Sequence, residues 1–204
     1  ITRGLAGKYM LEELTGIPSE VDYASEFRYA SFPLMKHALV IAVSQSGETA
    51  DTLEAVREAK RKGALTLGIV NVVGSSIARE AGRGIYNYAG PEISVASTKA
   101  FISQLTIFVL IALWLGRQRH LSLEAGQEIL RELQQLPNKA ARILSQSPSV
   151  AVIAEKYAAN NNFLFLGRMY NWPTALEGAL KLKEISYVHA EGLAAGEIKH
   201  GPIA

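Results

Sequence analysis

Ser44, Ser46 and Thr49 place three hydroxyls, Gln45 an amide and Gly47 a side-chain-free link between the apolar run Ala38-Leu39-Val40-Ile41-Ala42-Val43 and a helix-forming segment. A strand that turns into a helix presents unpaired backbone N–H groups and the positive end of the helix dipole at that turn. The run therefore reads as a phosphate cradle that suits a sugar phosphate. Ser-x-Ser-Gly also caps ordinary helices, and the same hydroxyls fit that plainer role. Glu48, Asp51 and Glu54 bear on the choice. Their carboxylates stabilise the dipole but repel an anion unless they turn away.

A second constellation lies near the C-terminus, where Glu177, Lys181 and Glu184 fall on one helix face. A carboxylate beside an ammonium can serve as a tuned proton carrier, whereas a solvated salt-bridge ladder has the same spacing and is worth only a few tenths of a kcal/mol per pair. His200, beside Gly201-Pro202 in a loop-like segment over 190–202, can move protons near neutral pH or be an ordinary surface histidine. His189 falls near an expected helix end, as a dipole partner. Ser97-Thr98-Lys99 reads as an N-terminal cap that could also touch a ligand. No His, Asp and Glu cluster has metal-ligand spacing. Ser44 and Ser46 have no neighbouring histidine and acid for a triad.

These groups need a scaffold to bring them together. The pattern predicts a helix ending over 9–14, stopped by Gly16 and Pro18, and a short strand beginning at 20–23. Strand 38–43 feeds helix 49–62, strand 65–72 a short helix after Gly74-Ser75-Ser76, and strand 85–88 a helix over 97–115. Such alternation predicts a parallel sheet covered on both faces, with ligands beyond the strands' carboxyl ends. The turns at 44–49, 74–76 and 90–98 then share one rim. An amphipathic helix over 121–136 is broken by Pro137-Asn138, and further helical segments cover 139–144 and 150–159. Strand 163–166 leads through Gly167 to a helix from Pro173 to near His189. The strand, turn and helix near 43 and near 166 hint at two related halves.

At 204 residues, 49% hydrophobic and 20% charged, the chain has ordinary globular composition and can bury a sizeable core. A net charge of +2 with both signs interspersed gives no strong field for nucleic acid or an anionic membrane. With no cysteine there is no disulfide framework or thiolate nucleophile, which fits a reducing, cytoplasmic compartment. The most apolar stretch, 100–115, is broken by Ser103, Gln104 and Thr106 and is shorter than the roughly 20 residues of a bilayer span, so it is expected to be a buried core helix. The chain opens at Ile1-Thr2-Arg3-Gly4 without methionine or signal pattern and stops at Gly201-Pro202-Ile203-Ala204 without a closing element. It is expected to be a piece of a longer protein.

Four stretches in order, Ala24 to Tyr29, Ser44 to Thr52, Val95-Ala96-Ser97-Thr98-Lys99-Ala100-Phe101, and Ala175 to Glu184 with Glu197 to Pro202, resemble one family across nearly the whole chain. It is the isomerase portion of glucosamine–fructose-6-phosphate aminotransferase. The resemblance implies sugar-isomerase (SIS) domains of α/β class, each a flavodoxin-like parallel sheet between helices. It divides the chain into a first SIS domain at 1–117 lacking its N-terminal strand, a helical connector at 118–150, and the beginning of a second SIS domain at 151–204.

It further implies that Ser44, Gln45, Ser46 and Thr49 hold the phosphate of fructose 6-phosphate, and that Val95 and Ser97 line the sugar. Glu184 would shuttle the proton between C1 and C2 with Lys181 beside it. His200 would assist ring opening and reach a neighbouring subunit's site, implying a homodimer. The family reaction adds glutamine-derived ammonia to the keto-sugar and yields glucosamine 6-phosphate without metal or organic cofactor. The partner glutaminase domain of such a parent is absent here, as are the family's Cys-Gly-Thr-Ser turn and its Schiff-base lysine tail, so this piece alone is expected to be inactive. Gly167-Arg168-Met169 stands where the family has Gly-Arg-Gly, reducing the turn's backbone freedom. Two competing readings are a noncatalytic phosphosugar-binding module of the same fold and a phosphosugar isomerase that handles no ammonia.

Overall fold

A computed structural model of the chain describes residues 1–31 and 33–203. Ala204, the last residue of the expected second domain, lies outside the described residues. The backbone packs as two units, 1–8 with 18–110 and 9–17 with 111–204.

In the first unit the apolar runs become strands whose backbone groups are satisfied by parallel pairing. After helices α1 (Thr2–Thr15) and α2 (Ala24–Phe27) come β1 (Leu39–Ser44), α3 (Ala50–Arg61), β2 (Leu65–Val70), α4 (Ser76–Ala81), β3 (Gly84–Tyr86) and α5 (Lys99–Arg117). The strands form a parallel sheet ordered β1-β2-β3, with Ser44 beside Val70 and Val70 beside Tyr86. Ala42, Val56, Val70, Ile77 and Ala81 close the core. Burying each larger side chain contributes roughly 1.5–3 kcal/mol before chain entropy is charged against it.

The short strand expected at 20–23 does not form. Tyr23 is extended at φ −73° and ψ 134°, but it serves as the flank of α2, and among the described residues no strand lies alongside to complete a ladder. Extended backbone becomes sheet only with a partner. On α5, Ala100, Gln104, Ile107 and Phe108 are buried at helical spacing. The helix is long and apolar enough to cross a membrane by length and composition. Yet its fully buried Gln104 donates Nε2 to the Ser44 carbonyl at 3.1 Å, as befits a core helix.

The second unit contains α6 (Leu123–Gln134), α7 (Leu136–Leu144), α8 (Ser147–Tyr157), β4 (Asn162–Gly167), α9 (Asn171–Ser186) and β5 (His189–Ala194). Ser122 caps α6 by accepting from the Ala125 N–H at 3.1 Å. Pro137 was expected to break the chain's helical path, but it lies in the first turn of α7, where its missing N–H costs nothing. Strands β4 and β5 pair in parallel from Asn162 beside His189 to Gly167 beside Ala194, with α9 as the crossover.

Two expectations are thereby corrected. Residues 189–194 are strand rather than the start of a loop, because β4 supplies a hydrogen-bonding edge. Helix α9 stops at Ser186, with Tyr187 left-handed at φ 59°, so His189 is no dipole partner; its Nδ1 lies 3.1 Å from Asn162 Oδ1. The β5–α9 approach is close enough to need Gly192, where a Cβ would meet the Leu176 Cα at 2.5 Å. Gly192→Ala is expected to destabilise the chain by about 1–3 kcal/mol through overpacking, read as a lower urea midpoint at unchanged slope.

Candidate functional site

The turn after β1 is preorganised by its own backbone. Ser44 Oγ accepts from the Gly47 N–H at 3.0 Å and lies 3.4 Å from Thr49 Oγ1, while Ser46 Oγ accepts from the Glu48 N–H at 3.2 Å. A hydroxyl that accepts from an N–H retains its own O–H to donate. The half-buried Ser46 thus keeps its O–H for an acceptor-only anion, and the buried Ser44 shares one hydrogen with the exposed Thr49. Thr49 flanks the start of α3 without capping it by its side chain, so its hydroxyl does not occupy the positive end of this helix.

Neighbouring turns brace this one. Gly47 is left-handed at φ 70°, and a Cβ there would sit 2.1 Å from Ser75 Oγ, so both conformation and space demand glycine. The Gly47 carbonyl accepts from the Ile77 N–H at 2.9 Å. The Asn71 N–H donates to the Gln45 carbonyl at 3.2 Å. The Asn71 side chain then binds the Ala89 N–H and the Gly90 carbonyl, each at 2.8 Å. The turns following β1, β2 and β3 are therefore hydrogen-bonded into one rim, as the alternating pattern implies.

The acidic residues at the start of α3 face other partners. Glu48 accepts from the Ser76 N–H at 2.8 Å, Asp51 pairs with Arg28 at 3.1 Å, and Glu54 pairs with Arg57 at 2.5 Å. Hydrogen bonds from the Ser76 hydroxyl and amide, with a smaller contribution from Arg79, hold the Glu48 carboxyl below the usual carboxylate range. The objection that these carboxylates repel an anion is answered by where they point.

Val95 is 87% exposed on the loop before α5. Ser97 is half-buried; its hydroxyl donates to Glu92 Oε2 at 2.9 Å and accepts from Arg3 Nη2 at 3.1 Å. The same Glu92 oxygen accepts from the Ala100 N–H at 3.3 Å. The side chain that caps α5 is thus Glu92 rather than Ser97, Thr98 or Lys99, since a carboxylate is the stronger acceptor at a positive helix end.

In the second unit, α9 does gather its charged face. Lys181 Nζ lies 2.5 Å from Glu184 Oε2 and 3.6 Å from Glu177 Oε1, with Glu177 buried and the side chains of Lys181 and Glu184 20% and 30% exposed. One ammonium thus lies between two carboxylates on this face. His200 stands apart on the turns after β5, its backbone N–H on the Glu197 carbonyl at 2.9 Å and its ring exposed. Among the described residues that ring shares no hydrogen bond with Lys181 or Glu184.

The residues that sequence reasoning missed are supports: Gln104, Asn71, Ser75, Glu92 and Arg3. Gln104 carried a legible signal as the polar member of an otherwise apolar helix stripe. Asn71 and Arg3 instead bind partners distant in sequence, at Ala89, Gly90 and Ser97.

Comparison with known proteins follows the same outline. The SIS domain profile matches residues 3–114. The chain is similar to glutamine–fructose-6-phosphate aminotransferase (isomerizing) of Thermus thermophilus, 55% identical over 98% of this chain and 33% of that protein. The same-named protein of Chlorobaculum tepidum is 56% identical over 98% of this chain and 33% of its own length. The chain thus spans about a third of the length of these curated relatives. The structure of the C-terminal domain of glucosamine-fructose-6-phosphate aminotransferase from Francisella tularensis superposes with a TM-score of 0.96 at 38% identity, covering 99% of this chain and 57% of that one.

The Glu48 contact has a measurable signature. A carboxyl with a depressed pKa keeps its contact at neutral pH and loses it as pH falls through that pKa. The Ser76 amide resonance is expected to titrate below the usual carboxylate range and to stay flat over that range in Glu48→Gln. A Ser76 midpoint at an ordinary carboxylate value would place Glu48 elsewhere.

Proposed function

The chain belongs to the SIS domain family, and on that footing we propose that it carries the sugar-isomerising half of a glutamine–fructose-6-phosphate aminotransferase reaction. In this reading ammonia released from glutamine by a partner glutaminase domain condenses with C2 of fructose 6-phosphate, and the resulting imine is isomerised to glucosamine 6-phosphate. The Ser44, Ser46 and Thr49 hydroxyls and Gln45 hold the phosphate at the start of α3, and Val95 and Ser97 line the sugar. Glu184 takes a proton from C1 and returns it at C2, with Lys181 beside it. His200 assists ring opening across a homodimer interface. We place the reaction in the cytoplasm, and we take 1–117 as the first SIS domain, 118–150 as connector and 151–204 as the opening of the second.

The observation that carries this proposal is the braced turn at 44–49, with the Ser44, Ser46 and Thr49 hydroxyls gathered at a helix start that the Thr49 side chain does not cap and three carboxylates turned aside. A hydrogen bond to a charged group is worth about 1.5–3 kcal/mol, or roughly tenfold to a hundredfold in affinity. Ser46→Ala and Thr49→Ala are each expected to weaken fructose 6-phosphate binding by about tenfold in calorimetry while leaving fructose unchanged. Equal losses for both sugars would contradict phosphate contact. In the complete enzyme, Glu184→Gln is expected to slow exchange of the C1 hydrogen with solvent by about a hundredfold or more. Unchanged exchange would remove Glu184 from proton transfer.

A further inference from the structure

We propose that Arg3 and Glu92 are positioning residues that fix the polarity of the Ser97 hydroxyl, so that it meets the sugar only as a hydrogen-bond acceptor. This rests on the reading above that Ser97 lines the sugar. A serine hydroxyl has one hydrogen to give and two lone pairs to offer. Here the hydrogen goes to Glu92 Oε2 at 2.9 Å, and one lone pair receives Arg3 Nη2 at 3.1 Å. One acceptor position remains. The ligand group that occupies it must be a donor, so a free hydroxyl of a hexose phosphate fits and an ether or carbonyl oxygen does not.

Both supporting residues are themselves held. Glu92 Oε2 also accepts from the Ala100 N–H at 3.3 Å, anchoring the carboxylate to the first turn of α5. The Arg3 guanidinium carbon lies 5.6 Å from the Phe101 ring centroid, which sets the plane of its donor fork. Its Nε is buried and has no partner among the described residues, while its Nη2 donates to Ser97. A buried donor left unpaired is costly. That the fork nevertheless addresses Ser97 fits a role at this hydroxyl rather than a general ion pair.

The test is calorimetry of this chain with fructose 6-phosphate and with inorganic phosphate. Arg3→Met, Glu92→Ala and Ser97→Ala are each expected to weaken fructose 6-phosphate about fivefold, the size of one neutral hydrogen bond, and to leave inorganic phosphate unchanged. Glu92→Gln keeps an acceptor oxygen and is expected to stay within about twofold of the parent chain. Adding Arg3→Met to Ser97→Ala is expected to cost nothing further, because both act through one hydroxyl. Additive losses, or equal losses for both ligands, would overturn the proposal and leave Arg3 and Glu92 as supports of α5. Should Arg3→Met not fold, Arg3→Ala, which likewise removes the donor, carries the same expectation. If Ser97→Ala alone has no effect, the sugar contact itself fails and this inference with it. If Ser97→Ala is effective while Arg3 and Glu92 variants are silent, only the polarity argument fails.

Discussion

The first unit depends on one constraint: a helix must start at residue 50 without a cap from the Thr49 side chain. Backbone N–H groups at a helix start are among the few neutral groups that attract an anion strongly, and they do so over little more than one turn. Attraction of such short range makes position decisive. The supports around the turn follow from this. Gln104 holds the Ser44 carbonyl from beneath, Ile77 holds the Gly47 carbonyl from the side, and Ser75 fills the space where a side chain at 47 would stand.

A cradle made of hydroxyls and amides differs from one made of lysines and arginines. Cations attract phosphate over a Debye length and bind many polyanions alike. Oriented O–H groups act only at hydrogen-bond distance and select shape. The near-neutral chain, at +2, is consistent with a site that relies on geometry more than on field. The same logic governs the local acids. Since Glu48, Asp51 and Glu54 engage Ser76, Arg28 and Arg57, the negative charge that aids α3 is satisfied away from the cradle.

What the sequence made legible was whatever depends on neighbours along the chain. The strand-turn-helix at 38–62, the glycine stops and the one-faced triad on α9 all rest on local periodicity or spacing, and they appear with boundaries shifted by a residue or two. What depended on remote partners was not legible. Strand β5 needed the edge of β4, 27 residues earlier at the paired Asn162 and His189, and the segment at 20–23 had the extended form but no such edge. The direction of Glu48 is set by Ser76, 28 residues away, and the cap of α5 by a glutamate reached through a loop. The family resemblance supplied the proposed site roles but said nothing of these supports.

In the second unit a turn fixes the orientation of a charged face along one helix. Met169 is left-handed at φ 50° at the position where the resembled family has glycine, a conformation that costs a non-glycine residue on the order of 1 kcal/mol or more. The strain is retained because the surrounding bonds fix it: the Trp172 N–H donates to the Met169 carbonyl at 3.0 Å and the Ala195 N–H to the Gly167 carbonyl at 2.8 Å. Tyr170 adds a hydrogen bond to Glu13 and an edge-on contact with the Tyr9 ring at 5.8 Å between centroids. Each residue of slip at the start of a helix rotates everything after it by about 100°. The turn at 167–170 therefore sets the angular phase of α9, and with it the direction in which Glu177, Lys181 and Glu184 face.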